Sequence, residues 1–187
     1  MRALKALVAV LALLVAFPAA AKVRVTFYAH PANAQGDRFY QHAFIRVTGQ
    51  PAGASAPIDE NFGFTTNQKA LVFLRAHGFV ASGTPEYVQR SHPYFWLELS
   101  DDQYRALREW IDTWNRPPNS YYNLYHHNCI IFIADLAKTL GLAVGNTDTL
   151  DPDAFMAEMK QLNATRVAEG LAPPMDSPAP PVLASAH

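Results

Sequence analysis

The stretch YNLYHHNCIIFIADLAKTLG, residues 122–141, decides how the chain is read. Its first half is polar and aromatic. From Cys129 onward it is apolar at helical spacing, and it ends at Gly141, a residue that commonly closes a helix. The pattern predicts a helix over 129–140 with Cys129 in its first turn. Cys129, Phe132, Ile133 and Leu136 share one face of that helix, the face that must pack on the rest of the fold. The sulfur then lies at the rim of the core, where unpaired backbone N–H groups and the helix dipole favour a thiolate. That placement predicts a thiol pKa below the ordinary value. Cys129 is the only cysteine, so it forms no disulfide within the chain. Two roles fit it: a small buried hydrophobe that fills a gap, or a nucleophile kept for its chemistry.

A nucleophilic thiol needs a base that takes a proton near neutral pH, and histidine is the usual one. Of the seven histidines, His187 lies near the C-terminus, and His30, His77 and His92 adjoin Pro or Gly in loop-like sequence. His42 differs. It lies in the strand-like run 41–47, where Ala43, Ile45 and Val47 form one face and His42, Phe44 and Arg46 the other. A strand histidine by itself is commonly structural; beside a lone thiol at a helix start, it is the candidate base. A third polar group would orient the imidazole. The next strand, 58–65, offers Asn61 first and Asp59 second, both on one face with Gly63. His126, His127 and Cys129 include zinc-ligand types. Adjacent histidines on an extended segment point opposite ways, however, so neither a metal nor a cofactor is expected.

The strand His42-Ala43-Phe44-Ile45-Arg46-Val47-Thr48-Gly49, a polar return strand and a late Asn128-Cys129 opening an apolar helix resemble the circularly permuted NlpC/P60-like papain fold. In permuted members of that family the histidine strand precedes the cysteine helix, as His42 precedes Cys129 here. The run 97–104, the helix that follows it and Tyr122-Asn123-Leu124 add to the likeness, which covers roughly residues 38–142. One departure is the long Gly/Pro/Ala-rich connection before the return strand. The resemblance implies an α+β fold, an antiparallel sheet or small barrel with a Cys-bearing helix packed on it. It also implies Cys129 as nucleophile, His42 as base and Asn61 as orienter. Relatives of this fold hydrolyse amide bonds in cell-wall peptides, others act on lipid acyl esters and amides, and some are inactive. The implied function is a secreted cysteine hydrolase or acyltransferase acting on a peptide or acyl substrate. A non-catalytic binding module on the same fold is the alternative.

The remaining elements follow from local signals. Alternation predicts strands at 22–28, 38–48 and 58–65, with a loop at 50–57. A short helix at 67–76 capped by Thr66 is expected, then an extended aromatic stretch at 94–99. Ser100 with Gln103 forms a capping box that opens a helix with Tyr104, Leu107, Ile111 and Trp114 on its apolar stripe, stopped before Pro117-Pro118. Asp151-Pro152 opens another, with Phe155, Met159 and Leu162 on one face. Fifteen basic residues balance sixteen acidic ones and are scattered, so no nucleic-acid partner is expected. At the N-terminus, Arg2 and Lys5, an apolar run over 6–17 and Ala19-Ala20-Ala21 read as a signal peptide of residues 1–21. That makes an exported protein, periplasmic or extracellular, with a single domain over 22–169, no later membrane span, and a Pro/Ala-rich disordered tail over 170–187. Export should yield a chain beginning at Lys22; an intact mass that retains residues 1–21 would refute the cleavage site.

Overall fold

The computed structural model describes residues 22–32 and 41–170. The expected signal peptide and the tail beyond Gly170 lie outside the described residues, as does the 38–40 part of the second expected strand. Eight strands are described: β1 Lys22–His30, β2 His42–Gln50, β3 Ile58–Thr65, β4 Ala76–His77, β5 Phe79–Ala81, β6 His92–Leu99, β7 Tyr121–Tyr122 and β8 Ala168–Glu169. Between them stand four helices, α1 Pro85–Gln89, α2 Asp101–Trp114, α3 Cys129–Thr139 and α4 Pro152–Leu162. The fold is mixed α/β. Six strands form one sheet in the order β5-β3-β2-β1-β6-β8, with every neighbouring pair antiparallel. Of the two expected forms it is a sheet with β5 and β8 at its edges, not a barrel.

Alternation makes the sheet two-faced. Phe27 lies opposite Ile45 on one side and Phe95 on the other, and Val25 lies opposite Val47 and Leu97. These side chains, with Ala29, Ala43 and Phe64, form the face that the helices cover. The thiol-bearing helix α3 packs on β2 and β3, and α4 packs on β1, β2 and β6. The other face carries Tyr28 stacked on Phe44 at 5.0 Å, with Tyr87 of α1 against Phe44. Tyr28 and Phe44 are buried there too. Burial of both faces accounts for the unbroken buried apolar run Ala43-Phe44-Ile45 within β2.

The capping signals operate as expected. At α2 the Ser100 Oγ accepts from the Gln103 N–H (3.2 Å), and the Gln103 side chain accepts from the Ser100 N–H (2.9 Å). Asp151 caps α4 by accepting from the N–H groups of Asp153 and Ala154. Gly141, at φ 73°, takes the left-handed conformation that ends α3. The apolar stripe of α2 includes Trp110 beside Leu107, Ile111 and Trp114, while Tyr104 is only partly buried. The indole N–H groups of Trp110 (2.8 Å) and Trp114 (3.3 Å) both donate to Asp135 Oδ2 of α3, which ties the two helices together.

Three expectations are corrected. The helix over 67–76 is only a single 3-10 turn, Lys69–Leu71. Thr66 Oγ1 accepts from Gln68 N as a cap would, but the later backbone groups bond elsewhere: the Val72 carbonyl accepts from Leu124 N and the Leu74 carbonyl from Asn123 Nδ2. Leu162, at the end of α4, is 52% exposed; Met156 takes the buried place beside Phe155 and Met159. His30, His77 and His92 lie in β1, β4 and β6, not in loops. Helix α1 and strands β4, β5, β7 and β8 were not anticipated. Ser100→Ala should cost about 0.5–2 kcal/mol. Trp114→Ala, which removes a 4%-exposed ring and one Asp135 contact, should cost roughly 3–5 kcal/mol. Near-equal losses in denaturant melts would contradict this account of the buried stripe.

Candidate functional site

The start of α3 is set by Asn128. Its Oδ1 accepts from the N–H groups of Ile130 (2.9 Å) and Ile131 (3.0 Å), and its Nδ2 donates to the Leu124 carbonyl (2.6 Å). This cap places Cys129 as the first helical residue, 6% exposed and inside the core that α3 forms with the sheet. The backbone N–H groups of Ala43, Cys129 and Ile130 offer hydrogen bonds to its sulfur. Ala43 directly follows His42, so the thiol meets β2 at the residue next to the candidate base.

His42 opens β2, opposite His30 at the end of β1. The pairing of β2 with β3 runs from Gly49 and Ile58 as far as Ile45 and Phe62. Beyond it the imidazole of His42 reaches over β3 at Gly63, where an added Cβ would stand 2.3 Å from Nε2. Only a residue without a side chain leaves that space, which accounts for a glycine inside a strand. His42, Asn61, Gly63 and Tyr87 line a cavity of about 580 Å³. Cys129, Asn128 and Ile130 line a second, of about 180 Å³. Gln41, Tyr122 and Leu124 line both, so the thiol and imidazole sides of the site share a wall. The Gln41 Oε1 atom in that wall is buried and finds no hydrogen-bond partner among the described residues.

The electrostatics differ from the expectation of a lowered thiol pKa. Burial pushes the Cys129 thiol up, to about 11, and outweighs the backbone N–H groups that pull the other way. Burial also pushes His42 down, to about 4, and the neighbouring His30 adds to that shift. At neutral pH the site therefore holds a protonated thiol and a neutral imidazole, not a thiolate–imidazolium pair. The phenols of Tyr87 and Tyr122 are raised first by burial and then by the Cys129 charge, which places both rings near the sulfur.

The other expected residues have partners of their own. Asn61 shares the larger cavity with His42, yet its amide is bonded to the backbone of Gly83: Oδ1 accepts from Gly83 N (2.6 Å) and Nδ2 donates to Gly83 O (3.1 Å). In place of the expected orienting bond to the imidazole, Asn61 clamps the turn before α1, the helix that carries Tyr87. Asp59 forms a two-bond ion pair with Arg46, both contacts at 2.7 Å, and the guanidinium holds its carboxyl below the usual range. His127 stacks between Tyr121 (4.2 Å) and Trp114 (4.5 Å) and donates from Nδ1 to the Tyr121 carbonyl (2.7 Å). His126 is exposed. Among the described residues no group of three or more His, Cys, Asp and Glu side chains is placed to hold a metal ion. Sequence reasoning missed Gln41, Tyr87 and Tyr122. The glycine at 63 was a signal for the close approach of another side chain.

No family model matches the chain, and no curated protein matches it at a significant level. Among solved structures the chain is similar to a type VI secretion system effector, TseH. The TM-score is 0.49 at 16% identity, over 76% of this chain and 90% of that one. A likeness at that level carries no argument about family or activity.

Alkylation by a small thiol reagent should be slow at neutral pH and rise toward about pH 11 in the folded protein. The unfolded chain should titrate near the ~8.5 of a free thiol. The sign follows from burial: the folded state holds the proton more tightly, so alkalinity between the two values weakens folding. A folded-state profile centred below 8.5 would show that the helix end outweighs desolvation.

Proposed function

We propose that the protein is a cysteine hydrolase or acyltransferase on a circularly permuted papain-like scaffold, acting on an amide or ester carbonyl. Cys129 is the nucleophile and His42 the base. The observation that supports this reading is the position of the chain's only thiol, at a capped helix start against Ala43, the residue that follows His42, with the cavities lined by the two groups sharing Gln41, Tyr122 and Leu124. Because both groups are neutral at rest, the proton leaves the sulfur as it attacks, instead of beforehand. The sulfur–carbon bond forms as His42 takes the thiol proton. The carbon–nitrogen or carbon–oxygen bond then breaks, and the leaving group receives that proton. Water, or an acceptor hydroxyl or amine, releases the acyl group from sulfur. The backbone N–H of Cys129 would stabilise the oxyanion.

The expected signal peptide makes cell-wall peptides the first substrates to assay, with acyl lipids next. Cys129→Ser should abolish turnover and retain the thermal melt of the parent. His42→Ala should lower turnover by about 10²-fold or more, the usual contribution of a general base. Asn61→Ala should lower it less, because its bonds hold the Gly83 turn. A covalent acyl adduct on the parent, read by intact mass and absent from Cys129→Ser, would identify the nucleophile. A second reading, a binding module without turnover, is favoured by the buried, protonated thiol. It predicts no adduct with any acyl donor and ligand affinity unchanged in Cys129→Ser.

A further inference from the structure

Gln41 stands where the two cavities adjoin. It immediately precedes His42, and it lines both the cavity that holds His42 and the one that holds Cys129. Its Oε1 atom is buried and accepts no hydrogen bond. Among the described residues it is the one buried side-chain nitrogen or oxygen left in that state. A buried acceptor without a donor is costly, and folded proteins keep such atoms rarely.

The other amide side chains around the cavities are used within the fold. Asn61 is bonded through both its amide atoms to Gly83, and Asn128 through both of its own to Leu124, Ile130 and Ile131. Tyr122 shares the wall with Gln41, and burial raises its phenol so that the O–H is kept, yet that hydroxyl does not serve the Gln41 oxygen either. Gln41 is therefore the exception among these groups: its acceptor is held in place and not consumed by the protein.

An acceptor selects a ligand by the donor that ligand brings. No Asp or Glu stands among the described residues that line either cavity, so an ammonium group would be buried there without a counter-charge. The donor that fits is neutral. Of the two carbonyl classes considered above, a secondary amide carries an N–H beside its carbonyl. An ester carries an oxygen in that place, whose lone pairs would face those of Oε1. A site with an acceptor waiting for a donor discriminates against the analogue that lacks it, because the buried oxygen then stays unpaired.

We infer that Gln41 is a substrate-reading residue, whose Oε1 accepts the N–H of a secondary amide held where the two cavities adjoin, so that the site prefers amides to the matching esters. The inference rests on the reading of the site as one that receives an acyl carbonyl. The hydrogen bond itself belongs to binding, however, and is measurable without acyl transfer.

Cys129 is the only thiol, so alkylation of the full chain reports on this site alone. N-methyl iodoacetamide and methyl iodoacetate differ by an N–H in place of the ester oxygen. Their rate ratio on the folded parent, read by intact mass, is divided by the same ratio on N-acetylcysteine to remove intrinsic reactivity. Thiol ionisation cancels, because both reagents meet the same sulfur. The normalised ratio should favour the amide by about fivefold or more, the effect of one buried hydrogen bond. Gln41→Met should bring it to about one, while Gln41→Glu, which keeps an acceptor, should retain the preference. Because Gln41→Met removes an unmet acceptor at similar length, its thermal melt should match or exceed the parent's; if that variant does not fold, Gln41→Leu replaces it. A parent ratio near that of N-acetylcysteine would overturn the proposal, as would a thiol that neither reagent reaches. A preference retained in folded Gln41→Met would assign it to another group and overturn the role of Gln41. A Gln41-dependent preference in a protein that forms no acyl adduct would defeat the hydrolase reading and leave the recognition of N–H standing.

Discussion

Asn128 is buried at the start of the helix that carries the thiol, and its amide is used three times. Two bonds close the first turn of α3, and the third reaches back to Leu124. Without the cap, the N–H groups of Ile130 and Ile131 would be left unpaired at an apolar interface, where an unmet donor costs about 1–3 kcal/mol. The bond to Leu124 carries the constraint further, because Leu124 N in turn holds Val72. One side chain thus fixes the position of the sulfur and the wall common to both cavities, and reaches the backbone of Val72 through Leu124. The rest of the site is arranged around that anchored turn.

The chemistry of the site is a contest between position and burial. A helix start favours a thiolate and the nearby N–H groups add to that, yet the thiol of a residue only 6% exposed loses more from desolvation than it gains. The same term, with His30 across the strand pair, keeps His42 neutral. A pair neutral at rest avoids two buried charges.

The fold was legible where one residue type at one position has one mechanical meaning. Ser100 with Gln103, Asp151 with Pro152 and Gly141 marked helix ends correctly, and the alternation of Val23, Val25 and Phe27 marked a strand. Thr84-Pro85 carries the same cap signal before α1, where Thr84 Oγ1 accepts from Tyr87 N. What failed was set by distant partners. Residues 67–76 look helical by composition, but their carbonyls are claimed by Asn123 and Leu124, some fifty residues on. Asn61 looked free to orient a histidine, and the turn at Gly83 claims its amide. The pKa of Cys129 depends on how deeply the sheet buries it, which spacing along the chain does not encode.

The pairing of two indoles with one carboxylate also gives the molecule a reporter of its own. Trp110 and Trp114 both meet Asp135 across the α2–α3 contact, whereas Trp96 lies on the sheet with Arg24 over its ring at 5.0 Å. Two of the three tryptophans thus sit where the helix that bears the thiol docks on its neighbour. Their ultraviolet emission senses that contact, and a shift in it signals movement of α3 with no label attached.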